Sequence, residues 1–228
     1  MKVLVVDDEE SFVDALVTRL TREGFSVETA FDGEQALQLF DQTQPDLVLL
    51  DVMLPGMSGL DVCRTLRKRS TVPVIMVSAR SEEIDAVIGL EVGADDYIAK
   101  PYRVRELISR MRSVMRRVEF ADMPDVPGDG LVADEIIVDP ERHEVTVRGE
   151  LVRMPLKEFE LLSVLMENVN RVLPRERLIH LVWGYDYVGD TKTLDVHIKR
   201  LRAKVEVDAK NPKLIQTVRG LGYKLISP

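Results

Sequence analysis

The first half of this chain repeats one pattern five times: a short apolar run, a turn, then a segment with helical spacing. The runs fall at residues 3–6, 26–30, 47–50, 74–77 and 97–99, and the helical segments at 12–23, 34–42, 59–69, 82–92 and 103–117. Strands apolar enough to be covered on both faces, alternating with helices, define an α/β fold with a doubly wound parallel sheet. The pattern stops at 118–130, where Pro124, Pro127, Gly128 and Gly130 stand among acids with no apolar stripe, as expected of a linker. Beyond it, runs at 136–138, 144–147 and 151–154 read as small antiparallel strands. Helices are predicted at 156–168, 174–183 and 191–205, with Pro174 at a first helical position. The chain closes with two short strands, 215–219 and 223–226, around Gly220-Leu221-Gly222. A helix-turn-helix followed by a hairpin is a winged helix. The expected organisation is a (βα)5 domain over 1–117, a linker over 118–130, and a winged helix-turn-helix domain with an N-terminal antiparallel sheet over 131–228.

Charge divides along the same line. The net charge of −8 splits into −6 over residues 1–120, −8 over 121–170 and +6 over 171–228. An acidic front and a basic tail suit two tasks, the second with a polyanion as partner. One cysteine, Cys63, excludes an internal disulfide, and with only three histidines there is no Cys/His zinc cluster. Cys63 reads as a small buried apolar residue. No run approaches the roughly 20 apolar residues that span a bilayer, and the N-terminus lacks a signal-peptide layout. A cytoplasmic protein without a membrane partner is expected.

Open α/β sheets bind ligands at the carboxyl ends of their strands. Here the first strand ends in Asp7-Asp8-Glu9, the third in Asp51, the fourth in Ser78 and the fifth in Lys100-Pro101. In a flavodoxin-like strand order the first and third strands are neighbours, which crowds Asp7, Asp8 and Asp51. Three carboxylates so close need a counter-charge, and a hard divalent cation, Mg²⁺, is the expected one. Asp51 is then a carboxylate nucleophile toward phosphorus, with Mg²⁺ and Lys100 neutralising the phosphoryl oxygens and Ser78 donating a hydrogen bond. Singly, each residue has a plainer reading: an acid after a strand caps a helix, a lysine there is solvated, a serine caps. Their convergence at one sheet edge favours the chemical reading. Acids stand where a dinucleotide-binding loop needs glycines, so a Rossmann site is excluded.

Asp7-Asp8-Glu9, Leu49 to Gly56, Val77-Ser78-Ala79 and Gly93 to Pro101 resemble the motif set of two-component receiver domains. The resemblance implies that Asp51 accepts a phosphoryl group from a sensor histidine kinase. It implies that Asp8, Asp51 and the Met53 carbonyl hold Mg²⁺ with help from Asp7, and that Ser78 and Tyr97 form the switch. It also implies a cis Lys100–Pro101 peptide, which aims the lysine.

In the segment 191–205, Leu194, Ile198, Leu201 and Val205 form one stripe facing a core. Opposite stand Lys192, Val196, Lys199, Arg200 and Ala203, flanked by Thr193, His197 and Lys204. A helix of that kind fits the major groove of double-stranded DNA: Arg200 on a guanine, Val196 on a thymine methyl, lysines on phosphates. The plainer reading is a solvated basic face. The hairpin adds Arg219 for an adjacent minor groove, and Thr217 and Tyr223 for backbone contacts.

Pro155 to Leu162, Leu178 to Trp183, Thr193 to Arg202 and Thr217 to Tyr223 resemble the winged-helix effector domain of the OmpR/PhoB family of response regulators. Arg202 joins the DNA-facing set through this match. The branch with the nearest likeness is the actinobacterial SenX-RegX type, through Gly189 to His197. The family implies RNA polymerase contacts from the loop 184–190, with Tyr185 and Tyr187, although aromatic packing explains those rings as well; Trp183 is core, and His143 and His180 receive no role. It also implies a homodimer on phosphorylation, through Asp95, Asp96, Glu106, Arg110 and Arg117, with Ala86 replacing a usual basic partner of Glu106. Two basic helices on tandem or repeated half-sites would gain affinity by effective concentration. Together these features describe a phosphorylation-controlled transcription factor rather than an enzyme. The rivals are an aspartate-nucleophile phosphatase, which lacks any insertion to cap Asp51, and a regulator that has lost phosphorylation, against which the intact pocket residues speak.

Overall fold

The computed structural model describes residues 1–79, 83–115, 130–185, 187 and 191–227. Arg117 and residues 118–129 of the predicted linker at 118–130 lie outside these residues, as does the side chain of Ala86. The chain forms two compact units, Met1–Met115 and Arg116–Pro228.

In the first unit, β1 (Lys2–Val6), β2 (Ser26–Ala30), β3 (Leu47–Asp51), β4 (Val74–Ser78) and β5 (Asp96–Ala99) alternate with α1 (Glu10–Arg22), α2 (Gly33–Thr43), α3 (Gly59–Arg67), α4 (Glu83–Glu91) and α5 (Val104–Met115). The strands make one parallel sheet in the order β2-β1-β3-β4-β5. This is the expected flavodoxin-like winding. Its two faces follow from the period-2 alternation of strand side chains. Val3, Val5, Leu47, Leu49, Ile75, Val77 and Ile98 meet the apolar stripes of α1 and α5. The alternate residues Leu4, Val6, Val48, Leu50 and Met76 are buried too. Helix starts are written locally: Asp32 accepts from Gln35 N at 2.8 Å while Gln35 Oε1 accepts from Phe31 N, and Ser58 accepts from Asp61 N.

The second unit opens with a four-stranded antiparallel sheet, β6 (Leu131–Ala133), β7 (Ile136–Asp139), β8 (Glu144–Val147) and β9 (Glu150–Leu151). Three helices follow: α6 (Leu156–Glu167), α7 (Arg175–Trp183) and α8 (Lys192–Val205). The wing is β11 (Ile215–Val218) and β12 (Gly222–Leu225). Leu194, Ile198, Leu201 and Val205 join α6, α7 and the strands in one core around Trp183. Two details differ from expectation. The strand predicted at 151–154 stops at Leu151, because Pro155 caps α6 and Met154 turns into the core. Pro174 is not the first helical residue but the extended cap before it, and with Leu173 it forms a short strand, β10 (Leu173–Pro174), against β12. That pairing requires Gly222, where a Cβ would stand 2.0 Å from the Leu173 oxygen. No described helix is long and apolar enough to cross a membrane.

Candidate functional site

The sheet brings four of the sequence-predicted residues to one point. Asp7 follows β1, Asp51 ends β3, and carboxylate oxygens of Asp7, Asp8 and Asp51 all lie within 4.8 Å of one another. Asp7 and Asp51 are buried and Asp8 is exposed. Lys100 reaches both buried acids, Nζ donating to Asp7 Oδ2 at 2.5 Å and to Asp51 Oδ2 at 2.6 Å. Lys100 thus supplies one counter-charge to the pocket. The other oxygens are held by the backbone: Met53 N donates to Asp51 Oδ1 at 2.8 Å and Glu9 N to Asp7 Oδ1 at 3.1 Å.

Burial raises the Asp7 carboxyl above its usual range, and the hydrogen bonds from Lys100 and Glu9 offset this only in part. Burial also works against the charge of Lys100, but hydrogen bonds to Asp51 and Asp7 outweigh it and raise its pKa. The lysine is held charged, and the pocket is a pre-formed place for opposite charges.

Ser78 ends β4 fully buried, one residue past Val77, the register partner of Asp51. Lys100 N donates to Ser78 O at 2.7 Å, and the Lys100–Pro101 peptide is cis, as expected. Tyr97 is partly exposed and pairs with Met76 in the sheet. Gly59 opens α3 directly behind β3, its N–H donating to Val52 O at 3.1 Å. A Cβ there would stand 1.9 Å from the Asp51 carbonyl oxygen, so only glycine allows this approach. Sequence reasoning missed Gly59, and it also missed the aromatic pair Phe12 and Tyr102 beside the lysine.

The expected dimer residues are placed differently. Asp95 is fully buried and takes Arg67 Nη2 at 2.7 Å and Val74 N at 2.9 Å, so it ties α3 to the sheet and presents nothing outward. Like Asp96 and Arg110, it is held within the chain. Asp96 and Arg110 are buried and paired at 2.9 Å within the chain, and Arg110 also donates to Glu106 Oε1, one helical turn away.

On α8 the structure again corrects the sequence reading. His197 is fully buried, its ring edge-on to Trp183 with centroids 5.1 Å apart and Nδ1 2.8 Å from Thr193 O. Thr193 is buried and accepts a hydrogen bond from Tyr187. His197 is covered by Trp183 of α7 and Thr193 by Tyr187 of the following loop, which removes both from a groove-facing surface. Val196 is opposite that stripe but is buried as well, at 5% exposure. Arg200 pairs with the fully buried Glu158 of α6, which also takes Lys204 at 2.5 Å. Tyr223 is buried and donates to Asp195 Oδ1, the acid that Arg175 grips at 2.6 and 2.8 Å. Arg202 donates to Ile215 O and Thr217 Oγ1 and so joins α8 to the wing. Lys192, Lys199, Thr217 and Arg219 are the predicted DNA residues that remain exposed. The fastening residues Lys157, Glu158, Arg175 and Asp195 carried no sequence signal: their partners lie up to 48 residues away.

Comparison with known proteins agrees with this arrangement. Residues 3–112 match the family described as response regulator receiver domain, and residues 149–225 the family described as transcriptional regulatory protein, C terminal. The chain belongs to the two-component response regulators of OmpR/PhoB type, a family of transcription regulators and not of enzymes. It is 59% identical over 225 residues, 98% of each chain, to sensory transduction protein RegX3 of Mycolicibacterium smegmatis. Among solved structures, a RitR mutant matches with TM-score 0.80 and 28% identity, over 100% of this chain and 99% of that one. Response regulator DrrB, a Thermotoga maritima OmpR/PhoB homolog, matches with TM-score 0.52 and 32% identity over 99% of both.

Proposed function

We propose that Asp51 accepts a phosphoryl group from a sensor histidine kinase, and that this promotes pairing of the 1–117 domain and sequence-specific DNA binding by the 131–228 domain, with 118–130 as linker. The supporting observation is the joint hold of Asp7 and Asp51 on Lys100, with Asp8 alongside. A phosphoacceptor needs its carboxylate fixed, and Met53 N and Lys100 fix one oxygen each. The free carboxylate attacks phosphorus in line, the P–N bond of the phosphohistidine breaks, and the imidazole leaves with the bonding electron pair.

The three convergent carboxylates form an all-oxygen donor set that fits a small hard cation, and Asp7, Asp8 and Asp51 with the Met53 carbonyl are the residues that would hold Mg²⁺. When bound, Mg²⁺ supplies charge neutralisation at the phosphoryl oxygens. Lys100 supplies the same from the opposite sheet strand, Ser78 donates a hydrogen bond to the phosphoryl group, and Tyr97 turns inward behind it.

Asp96, Arg110 and Glu106 are joined within one chain, so a cross-dimer bridge through them, with Arg117, requires that network to open. Lys192, Lys199, Arg202, Thr217 and Arg219 then face double-stranded DNA, two copies engaging tandem or repeated half-sites. The loop around Tyr185 and Tyr187 faces RNA polymerase. The protein acts in the cytoplasm. The test is treatment of wild type and Asp51→Asn with Mg²⁺ and acetyl phosphate, followed by phosphate-affinity gel and sedimentation. Wild type alone is expected to be retarded and to shift toward dimer; a wild type that stays unmodified beside a labelled control receiver overturns the reading.

A further inference from the structure

We propose that Phe12 is a positioning residue for phosphoryl transfer at Asp51, its ring face seating the ammonium of Lys100; this rests on Asp51 being the acceptor. Lys100 Nζ stands 4.5 Å from the centroid of the Phe12 ring while donating to Asp7 and Asp51. Its side chain is 17% exposed, so the contact lies in a largely dehydrated place where a cation over an aromatic face is strongest. The ring is itself fixed. Phe12 lies in the first turn of α1, packed against the core, and Tyr102 meets it edge-to-face at 6.0 Å and 89°. Tyr102 follows the cis Lys100–Pro101 peptide, so the chain that delivers the lysine also delivers the brace for its platform.

The chemistry gives the platform a purpose. A lysine stem is long and flexible, and its ammonium carries three donors. Asp7 and Asp51 take two of them. When Asp51 becomes an acyl phosphate, its negative charge moves outward to the phosphoryl oxygens and the lysine must follow. A third carboxylate would compete for the remaining donor and pin the ammonium in place. An aromatic face attracts the charge without accepting a directional hydrogen bond, so the ammonium can move between the Asp51 oxygen and the phosphoryl group without leaving its seat.

The test keeps the shape of the side chain and removes the charge on its face. Trifluorophenylalanine at position 12 of the full chain is expected to slow phosphorylation by acetyl phosphate by roughly three- to tenfold. Phe12→Leu should slow it at least as much, and Phe12→Tyr should return close to the wild-type rate. A purely structural role predicts no loss in the fluorinated variant, and a wild-type rate there overturns the proposal. A second measurement stands apart from phosphorylation: the Lys100 ε-methylene proton resonance should be shifted upfield in wild type and return to its ordinary position in Phe12→Leu. A wild type that shows this shift but takes no phosphoryl group sinks the acceptor reading and with it the proposed role of the seat. Absence of the shift in wild type sinks the seat itself.

Discussion

Replacing Arg200 by methionine tests whether it fastens α8 to α6, as its pairing with Glu158 indicates, rather than reading a base, as the sequence pattern predicts. Arg200 and Lys204 on α8 both engage Glu158 of α6, whose side chain is fully buried while theirs are 12% and 28% exposed. Removing one partner of a buried ion pair costs about 3–5 kcal/mol, because the remaining charge is left in a poorly solvated place. Lys204 stays on the second oxygen of Glu158, so roughly half of that, about 2 kcal/mol, is expected for Arg200→Met. For a domain of this size it lowers the melting temperature by about 10 °C. The assay is thermal and urea unfolding of the DNA-free protein, with Glu158→Gln and the double variant completing a cycle. The double variant should be less destabilised than the two single losses added together, because removing Glu158 no longer strands Arg200 and only the more exposed Lys204 loses its partner. An Arg200→Met protein that melts with wild type, or single effects that simply add, would refute the fastening role and return Arg200 to the groove.

Gly59→Ala forces a Cβ toward the Asp51 carbonyl, now 1.9 Å away, and both groups that must yield are backbone; the expected cost is about 1–3 kcal/mol in urea unfolding, with a slower acetyl phosphate reaction because the acceptor itself is displaced. Tyr102 has a buried hydroxyl with no hydrogen-bond partner among the described residues, so Tyr102→Phe should raise the melting temperature, and a lower one would reveal an interaction of the hydroxyl that the fold conceals. At Asp195, burial raises the carboxyl pKa but hydrogen bonds from Arg175 and Tyr223 outweigh it and leave the value depressed. The stability this gives is therefore fully present above about pH 4 and lost as pH falls through the lower folded value. The difference in melting temperature between wild type and Asp195→Asn should shrink toward zero in that acid window; a constant difference would show that the carboxylate charge is not what matters.

The sequence by itself determined what is local and periodic. Strand and helix alternation is written in side-chain spacing, and a residue that ends a buried parallel strand must emerge at the carboxyl edge. That is why Asp7, Asp51, Ser78 and Lys100 could be placed at one edge before any contact was known, and why Ser26–Ala30 and Glu144–Val147 were found at their observed bounds. What only the tertiary structure decided is which polar groups find each other. A helical wheel gives α8 one buried stripe, yet Thr193 is covered by Tyr187, His197 by Trp183, and Arg200 is drawn to Glu158, because burial is set by every element that packs on a helix. Asp95 reads as one more surface acid until Arg67, 28 residues earlier, closes on it. β10 exists only because the wing returns to pair with it, through a glycine that permits the approach. In the pocket, three acids implied a cation, but only the fold shows that Lys100 reaches two of them from across the sheet with an aromatic ring behind it. Periodicity encodes which face of an element is apolar; the partner of a buried charge is set by distances between elements, which no spacing along the chain records.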